Sequence, residues 1–279
     1  GHKTTEGTKL LRKFVVSEFR DFYNRVRDSI EDIHNYYFNS EEMYQKKKEQ
    51  LKNLLTLETY EQRTEGWYKA RKKILTASDM ANSLDKGHFS TRDDLIASKI
   101  APPEFKGNEA TEWGVKYEDV AIAVYEKRNE VKVLEFGLVQ HPTIEIFGAS
   151  PDGIVDDNGT LMTARMLEIK CPWKRKIVHG EVPWHYWAQM QGQLDTCDLD
   201  ECDFLQVKIT EYPNQSEYLL DTLCEYLEPK YGYNKDNMEK GIVVSTKEHN
   251  KLKYHYCSLG LNPVQEAEWI KSIENPVNI

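Results

Sequence analysis

The sequence predicts an α/β fold: a central mixed β-sheet flanked by helices, with a helical N-terminal extension and an α+β C-terminal extension. Three observations point there. Residues 131–139, 144–155, 165–170 and 203–211 alternate in polarity with the two-residue period of strands. Residues 113–128 and 184–196 instead carry apolar side chains at three- and four-residue steps, the period of helices. Finally, residues 148–172, GASPDGIVDDNGTLMTARMLEIKCP, read as two strands joined by the polar turn Asp156-Asp157-Asn158-Gly159.

Taken in order, residues 9–38 predict a long amphipathic helix, with Leu11, Val15, Phe19, Phe22, Val26, Ile30 and Ile33 on one stripe. Ser40 reads as the N-cap of a second helix reaching about residue 57, with Lys46-Lys47-Lys48 on a solvated face. Residues 67–73 are helical, and 74–78 turn into the next helix. Ser78 then lies at or near a helix start, where free amides favour an anion; a plain N-cap role explains it equally well. Residues 86–106 form a loop with one short helix. In helix 113–128, Gly114 and Glu118 occupy the first two turns, with Val120, Ala121 and Val124 facing inward. Strand 165–170 sends Glu168 and Lys170 to one face and Leu167 and Ile169 to the other. Helix 184–196 shows Tyr186, Gln189 and Gln193 on one face and Trp187, Met190 and Leu194 on its packing face; Gln193 reads as solvated. Beyond strand 203–211 come a helix at 217–227, a hairpin of 241–246 with 253–258, and a terminal helix at 263–273. These make three units: an N-terminal extension (1–60), a core (61–212) and a C-terminal extension (213–279).

If the strands around the turn pair, Asp152, Glu168 and Lys170 converge at one end of the sheet. Like charges brought together there must be paired or hold a metal. Hard oxygen ligands suit Mg²⁺ or Mn²⁺, with phosphate oxygens of a substrate completing the shell. By themselves these residues are equally compatible with a surface ion pair.

The net charge of -9 has the wrong sign for a protein that simply coats DNA. The basic runs that remain, Arg71-Lys72-Lys73 and Lys174-Arg175-Lys176, sit beside the other marked residues, as phosphate tracking requires. Five cysteines without a C-x-x-C pair argue against a disulfide framework and a zinc site, and fit a reducing compartment. With no membrane-length apolar run and no signal peptide, the expected location is intracellular rather than secreted.

Six blocks follow one another: Arg71 with Thr76-Ala77-Ser78, Trp113-Gly114, Glu118, Ser150-Pro151-Asp152-Gly153, Glu168-Ile169-Lys170-Cys171-Pro172, and Tyr186-x-x-Gln189-x-Gln191. In this order they resemble the PD-(D/E)XK nuclease superfamily, and within it the phage lambda exonuclease-like (viral recombinase) family, over about residues 67–212. The resemblance implies a restriction-endonuclease-like core and a Mg²⁺-dependent deoxyribonuclease with two ions per site. It further implies a 5′→3′ exonuclease acting on double-stranded DNA from 5′-phosphorylated ends, in recombination or repair. Asp152 would bridge the ions, Glu168 and the carbonyl of Ile169 would complete one, and Glu118 would serve the other. Lys170 would orient or deprotonate the attacking water, and Gln189 would hold the scissile phosphate or the water. Arg71, Ser78 and Ser150 match a pocket for the 5′-phosphate, with Gln191, Lys174 and Arg175 along the DNA. Expected partners are duplex ends and a single-strand annealing or single-strand-binding protein. The family can form a ring trimer; the terminal extensions here predict a monomer or another assembly. An endonuclease on the same core and a catalytically silent DNA-binding scaffold are the alternatives, and the intact Asp152, Glu168, Lys170 set argues against the scaffold.

Overall fold

The computed structural model describes residues 30–88, 90–101, 107–249 and 251–279. Most of the predicted helix 9–38 therefore lies outside the described residues. From residue 30 onward, helix α1 (Ile30–Leu55) runs unbroken through Ser40. The expected N-cap is absent, because an interior serine costs a helix only a fraction of a kcal/mol (~0.5) and good helix formers continue on its far side. Of the Lys46–Lys48 run, Lys46 and Lys48 are exposed, as expected of a solvated face, but Lys47 is not. Lys46 pairs with Asp200, Lys47 with Glu201 and Lys48 with Asp157, and Lys47 is buried. Leu51 and Leu54 join Phe136, Val139, Ile154, Met166 and Leu199 in one of the hydrophobic clusters, so this helix is part of the core.

Thr64 caps α2 (Glu65–Lys73) by accepting from the amide of Trp67. The chain then forms β1 (Leu75–Thr76), a 3₁₀ turn at Ala77–Asp79 and the short α3 (Met80–Ser83). Helix α4 (Arg92–Ile100) is the short helix expected between 86 and 106. Helix α5 (Glu109–Asn129) buries Tyr117, Ala121 and Tyr125, one residue per turn.

Two small sheets share the centre. In the first, β1 runs parallel to β4 (Phe147–Ala149), which pairs antiparallel with β3 (Val139–Gln140). The second is mixed. Its order is β2 (Val133–Leu134), β5 (Gly153–Val155), β6 (Met166–Lys170) and β7 (Cys202–Gln206), antiparallel at the first two joints and parallel at the last. The predicted strands 131–139 and 144–155 are thus each divided between the sheets. For the second, the break falls at Ser150-Pro151-Asp152, where proline has no N–H to give a ladder, and the chain passes from one sheet to the other. Leu167 and Ile169 face α5, together with Val155 and Val131.

Helix α6 (Trp184–Cys197) lies against β4, the 3₁₀ turn and α3. Gly192 permits that approach: a Cβ there would stand 2.3 Å from Met80 Sδ and 3.0 Å from the ring of Phe147. In the C-terminal part, α7 (Gln215–Leu220) stops short of the predicted 227. Tyr226 and Leu227, with φ of 52° and 69°, instead turn the hairpin β8 (Leu223–Glu225)–β9 (Glu228–Lys230). The hairpin β10 (Val243–Glu248)–β11 (Lys251–Tyr256) docks on α5 through Tyr256 Oη, which donates to the carbonyl of Lys116 at 2.9 Å. Asn262 caps the terminal helix α8 (Pro263–Ser272).

One close backbone approach supports the site. The amide of Leu138 donates to the carbonyl of Tyr60 at 2.8 Å, and a Cβ on Gly137 would lie 2.0 Å from that same carbonyl oxygen. Neither backbone can yield as a side-chain tip would. Gly137→Ala is therefore expected to destabilise the fold by about 1–3 kcal/mol, the usual range for overpacking, as read by denaturant melting. An unchanged midpoint would show that the Tyr60 backbone is not clamped there.

Candidate active site

Asp152 follows Pro151 at the break between sheets and directs Oδ2 to the amide of Ile169 at 2.7 Å. This contact locks the bend onto β6. Val207 donates to the carbonyl of Lys170, so β6 turns the alternate residue, Ile169, toward Asp152. In an extended strand the N–H and C=O of one residue share an edge, so the carbonyl of Ile169 faces the same side.

Glu168 is completely buried, and each of its oxygens is held. Oε1 accepts from Lys170 Nζ and from Gln189 Nε2 (2.8 Å), and Oε2 accepts from Gln193 Nε2 (2.8 Å). Gln193, expected in solvent, is thus buried beneath the cluster, and its Nε2 also lies 3.4 Å from the carbonyl of Ser150. The signal was its place one turn after Gln189 on the same helix face. Trp187, expected to pack, is instead exposed.

The cluster is electrostatically tense. Burial above all, then the neighbouring Glu168 charge, pushes the Asp152 carboxyl well above the usual carboxylate range. Burial likewise raises Glu118, whereas Arg63 and Lys170 pull it down. Burial alone would lower Lys170, but Glu168 and Asp152 outweigh it, and its ammonium form is favoured. Its Nζ lies 3.9 Å from Asp152 Oδ2. Glu118 is anchored by an ion pair with Arg63 at 3.0 Å, a residue the sequence did not mark.

A second constellation adjoins the first. Arg71 Nη2 donates to Ser78 Oγ at 3.0 Å, and its guanidinium stacks 4.4 Å over the Trp67 ring. Trp67 Nε1 in turn donates to Ser150 Oγ at 3.0 Å. Burial lowers the Arg71 pKa from its ordinary value, with Asp79 opposing; a guanidinium remains charged. Asp79 Oδ2 accepts from the amide and hydroxyl of Thr76 and pairs with Lys99 at 2.8 Å. Lys99 also donates to the carbonyl of Arg71, adding a cation that sequence reasoning missed. The helix-start capping falls to Thr76, leaving Ser78 exposed and joined to Arg71.

The remaining marked residues divide. Arg175 donates to Gln206 Oε1 at 2.7 Å and lies 6.0 Å from the Tyr186 ring, which Lys170 also faces; Lys174 lies over Trp173. Gln191 is not part of either constellation. Two positions from Gln189 on a helix, it turns to the opposite flank, beside Leu75, Met80 and Ile146. Among the described residues, no three His, Cys, Asp or Glu side chains form a ready chelating group. No helix of the described residues is long and apolar enough to cross a membrane.

Residues 66–200 match the profile of the YqaJ-like viral recombinase domain. Protein R354 of Acanthamoeba polyphaga mimivirus is 31% identical over 253 residues, covering 86% of this chain and 44% of that protein. The chain thus spans less than half the length of that relative. The alkaline exonuclease LHK-Exo of Laribacter hongkongensis, in complex with dAMP, is 34% identical over 52% of this chain and 74% of its own, with a TM-score of 0.46. A second structure of the same exonuclease gives 0.45.

Proposed function

Because its domain at residues 66–200 belongs to the YqaJ-like viral recombinase family, we propose that this chain is a Mg²⁺-dependent deoxyribonuclease acting as a 5′→3′ exonuclease on duplex ends. One observation carries the reading. The Asp152–Glu168–Lys170 cluster and the Arg71–Ser78–Ser150 constellation adjoin one another, with Gln193 reaching both Glu168 and the Ser150 carbonyl. An end-binding pocket beside a hydrolytic centre is what an exonuclease needs.

The residues fit a hard divalent cation. Asp152 and Glu118 are held at raised pKa by burial and by neighbouring carboxylates, so a positive charge among them relieves repulsion. Asp152, Glu168, Glu118 and the carbonyl of Ile169 would hold it, with water and phosphate oxygens completing the shell. When bound, the ion supplies Lewis acidity and charge neutralisation at the phosphate, and a pair of ions serves both the attacking and the leaving oxygen.

The chain's own residues do the rest. Gln189, Gln193 and Lys170 donate to both oxygens of Glu168, fixing its carboxylate plane and keeping its lone pairs aimed. Lys170, as an ammonium, orients the attacking water and offsets anionic charge gathering on the phosphate. Arg71 supplies a planar fork for a terminal phosphate and the serines supply hydroxyls. Arg175 and Lys174 would follow the strand beyond.

The test is a digestion of end-labelled linear and closed circular duplex, with Mg²⁺ and with chelator. Linear DNA should be consumed from its ends only with Mg²⁺, and circles should survive. Cut circles would favour the endonuclease, and intact linear DNA in Mg²⁺ would overturn the nuclease reading.

A further inference from the structure

The N-terminal end of α6 presents aromatic rings and cations in alternation. Trp184, 40% exposed, carries Lys86 Nζ at 5.1 Å from its ring. His185 stacks on His88 at 5.3 Å and nearly parallel, and it contacts Tyr186 at 4.1 Å. Tyr186 in turn receives Lys170 at 5.3 Å and Arg175 at 6.0 Å. Trp187, one turn along from Trp184, is 49% exposed. Tyr186, His185 and His88 therefore form a row of adjoining rings leading away from the carboxylate cluster. Trp184 and Trp187 are exposed on the same end of the helix, and Lys86, Lys170 and Arg175 lie beside the rings. The chain's net charge is -9, so a face this rich in cations is not what the average composition would place there.

We propose that this face is a stacking platform for unpaired nucleobases, binding single-stranded DNA next to the carboxylate cluster. Rings offer a sequence-tolerant π-face to any base, and interleaved Lys and Arg meet the phosphates between them. A base pair has its faces covered by its neighbours, so the platform selects the frayed or already separated strand over intact duplex. Its place beside catalysis rests on the nuclease reading. Binding itself does not, and the test separates the two.

The full chain is titrated in EDTA, where no cleavage occurs, with a fluorescein-labelled oligothymidylate of about 12 nucleotides, within the footprint of such grooves. The strand carries a 5′-hydroxyl, and an abasic strand of equal length and charge is run beside it. The anisotropy change should give oligothymidylate an affinity at least about tenfold above the abasic strand, as stacking on aromatic side chains predicts. Trp184→Ala should reduce that advantage by about tenfold, and Trp184→Phe should restore it. Lys86→Ala should weaken both strands alike. Equal affinity for the two strands, or no loss in folded Trp184→Ala, would overturn the platform even if linear duplex is digested. A missing nuclease activity alongside the expected binding would overturn only the reading of the catalytic site.

Discussion

Asp152→Asn is expected to lower DNA cleavage at least about 10³-fold, the equivalent of roughly 4 kcal/mol of lost transition-state charge stabilisation. DNA binding should stay within a few-fold, and the protein should melt no earlier than the wild type. The last point follows from the site. The Asp152 carboxyl is pushed up by burial and by Glu168, so the fold disfavours its charge. An amide of the same shape keeps an oxygen to accept from Ile169, as Asp152 does at 2.7 Å, and removes a repulsion. Loss of the longer contact to Lys170 works in the opposite direction. The measurements are rate, binding and thermal midpoint on the same preparation. Full activity would sink the carboxylate mechanism. Activity lost together with several degrees of stability would make Asp152 a structural residue.

Arg71→Ala should separate the two kinds of DNA end. A dianionic terminal phosphate gains more from a guanidinium fork than a monoanionic diester does. Losing one charge-assisted contact costs roughly 1.5–3 kcal/mol, so cleavage of 5′-phosphorylated duplex should slow by about one to two orders of magnitude. Duplex with a 5′-hydroxyl should be affected far less. The wild type should accordingly prefer the phosphorylated end. Arg71 also stacks on Trp67, which holds Ser150, so a Lys replacement should rescue the preference only partly: it keeps the charge but loses the fork and the planar stack. If both ends are cut alike by the wild type, or slowed alike by the substitution, the pocket does not read the terminal phosphate.

The mixed sheet flanked by helices was legible because strand alternation and helical periodicity are local properties. So were Asp152 at its proline break and the opposite faces of Glu168 and Ile169. What sequence could not give was partner choice across distance. Lys47 looks as solvated as its exposed neighbours Lys46 and Lys48 until Glu201 is brought to it from more than a hundred residues away. Gln193 looks like any polar residue on a helix face until Gly192 lets that helix sink against Met80 and Phe147. Once it does, an amide becomes a donor to a fully buried carboxylate, where a hydrocarbon side chain would leave that oxygen unsatisfied. Gln191 shows the converse: spacing along a motif does not say which flank of a helix a residue takes, and it lies beside Leu75, Met80 and Ile146 rather than with Gln189. Leu223–Lys230 was misread because apolar residues at 217–227 fit a helix until Tyr226 and Leu227 adopt left-handed turn conformations, which bulky residues seldom take.

The family profile begins at residue 66, yet the support of the candidate site does not. Gln62 donates to the carbonyls of Phe136 (2.8 Å) and Pro151 (3.0 Å), tying down the bend that carries Asp152. Arg63 holds Glu118, and Tyr60 bridges Leu138. A fragment cut where the profile starts would keep every motif residue and lose the clasp around them. The family profile and the mechanics thus draw different borders for the same site. The smallest piece worth expressing is set by which residues grip Pro151 and Glu118, not by where the profile begins.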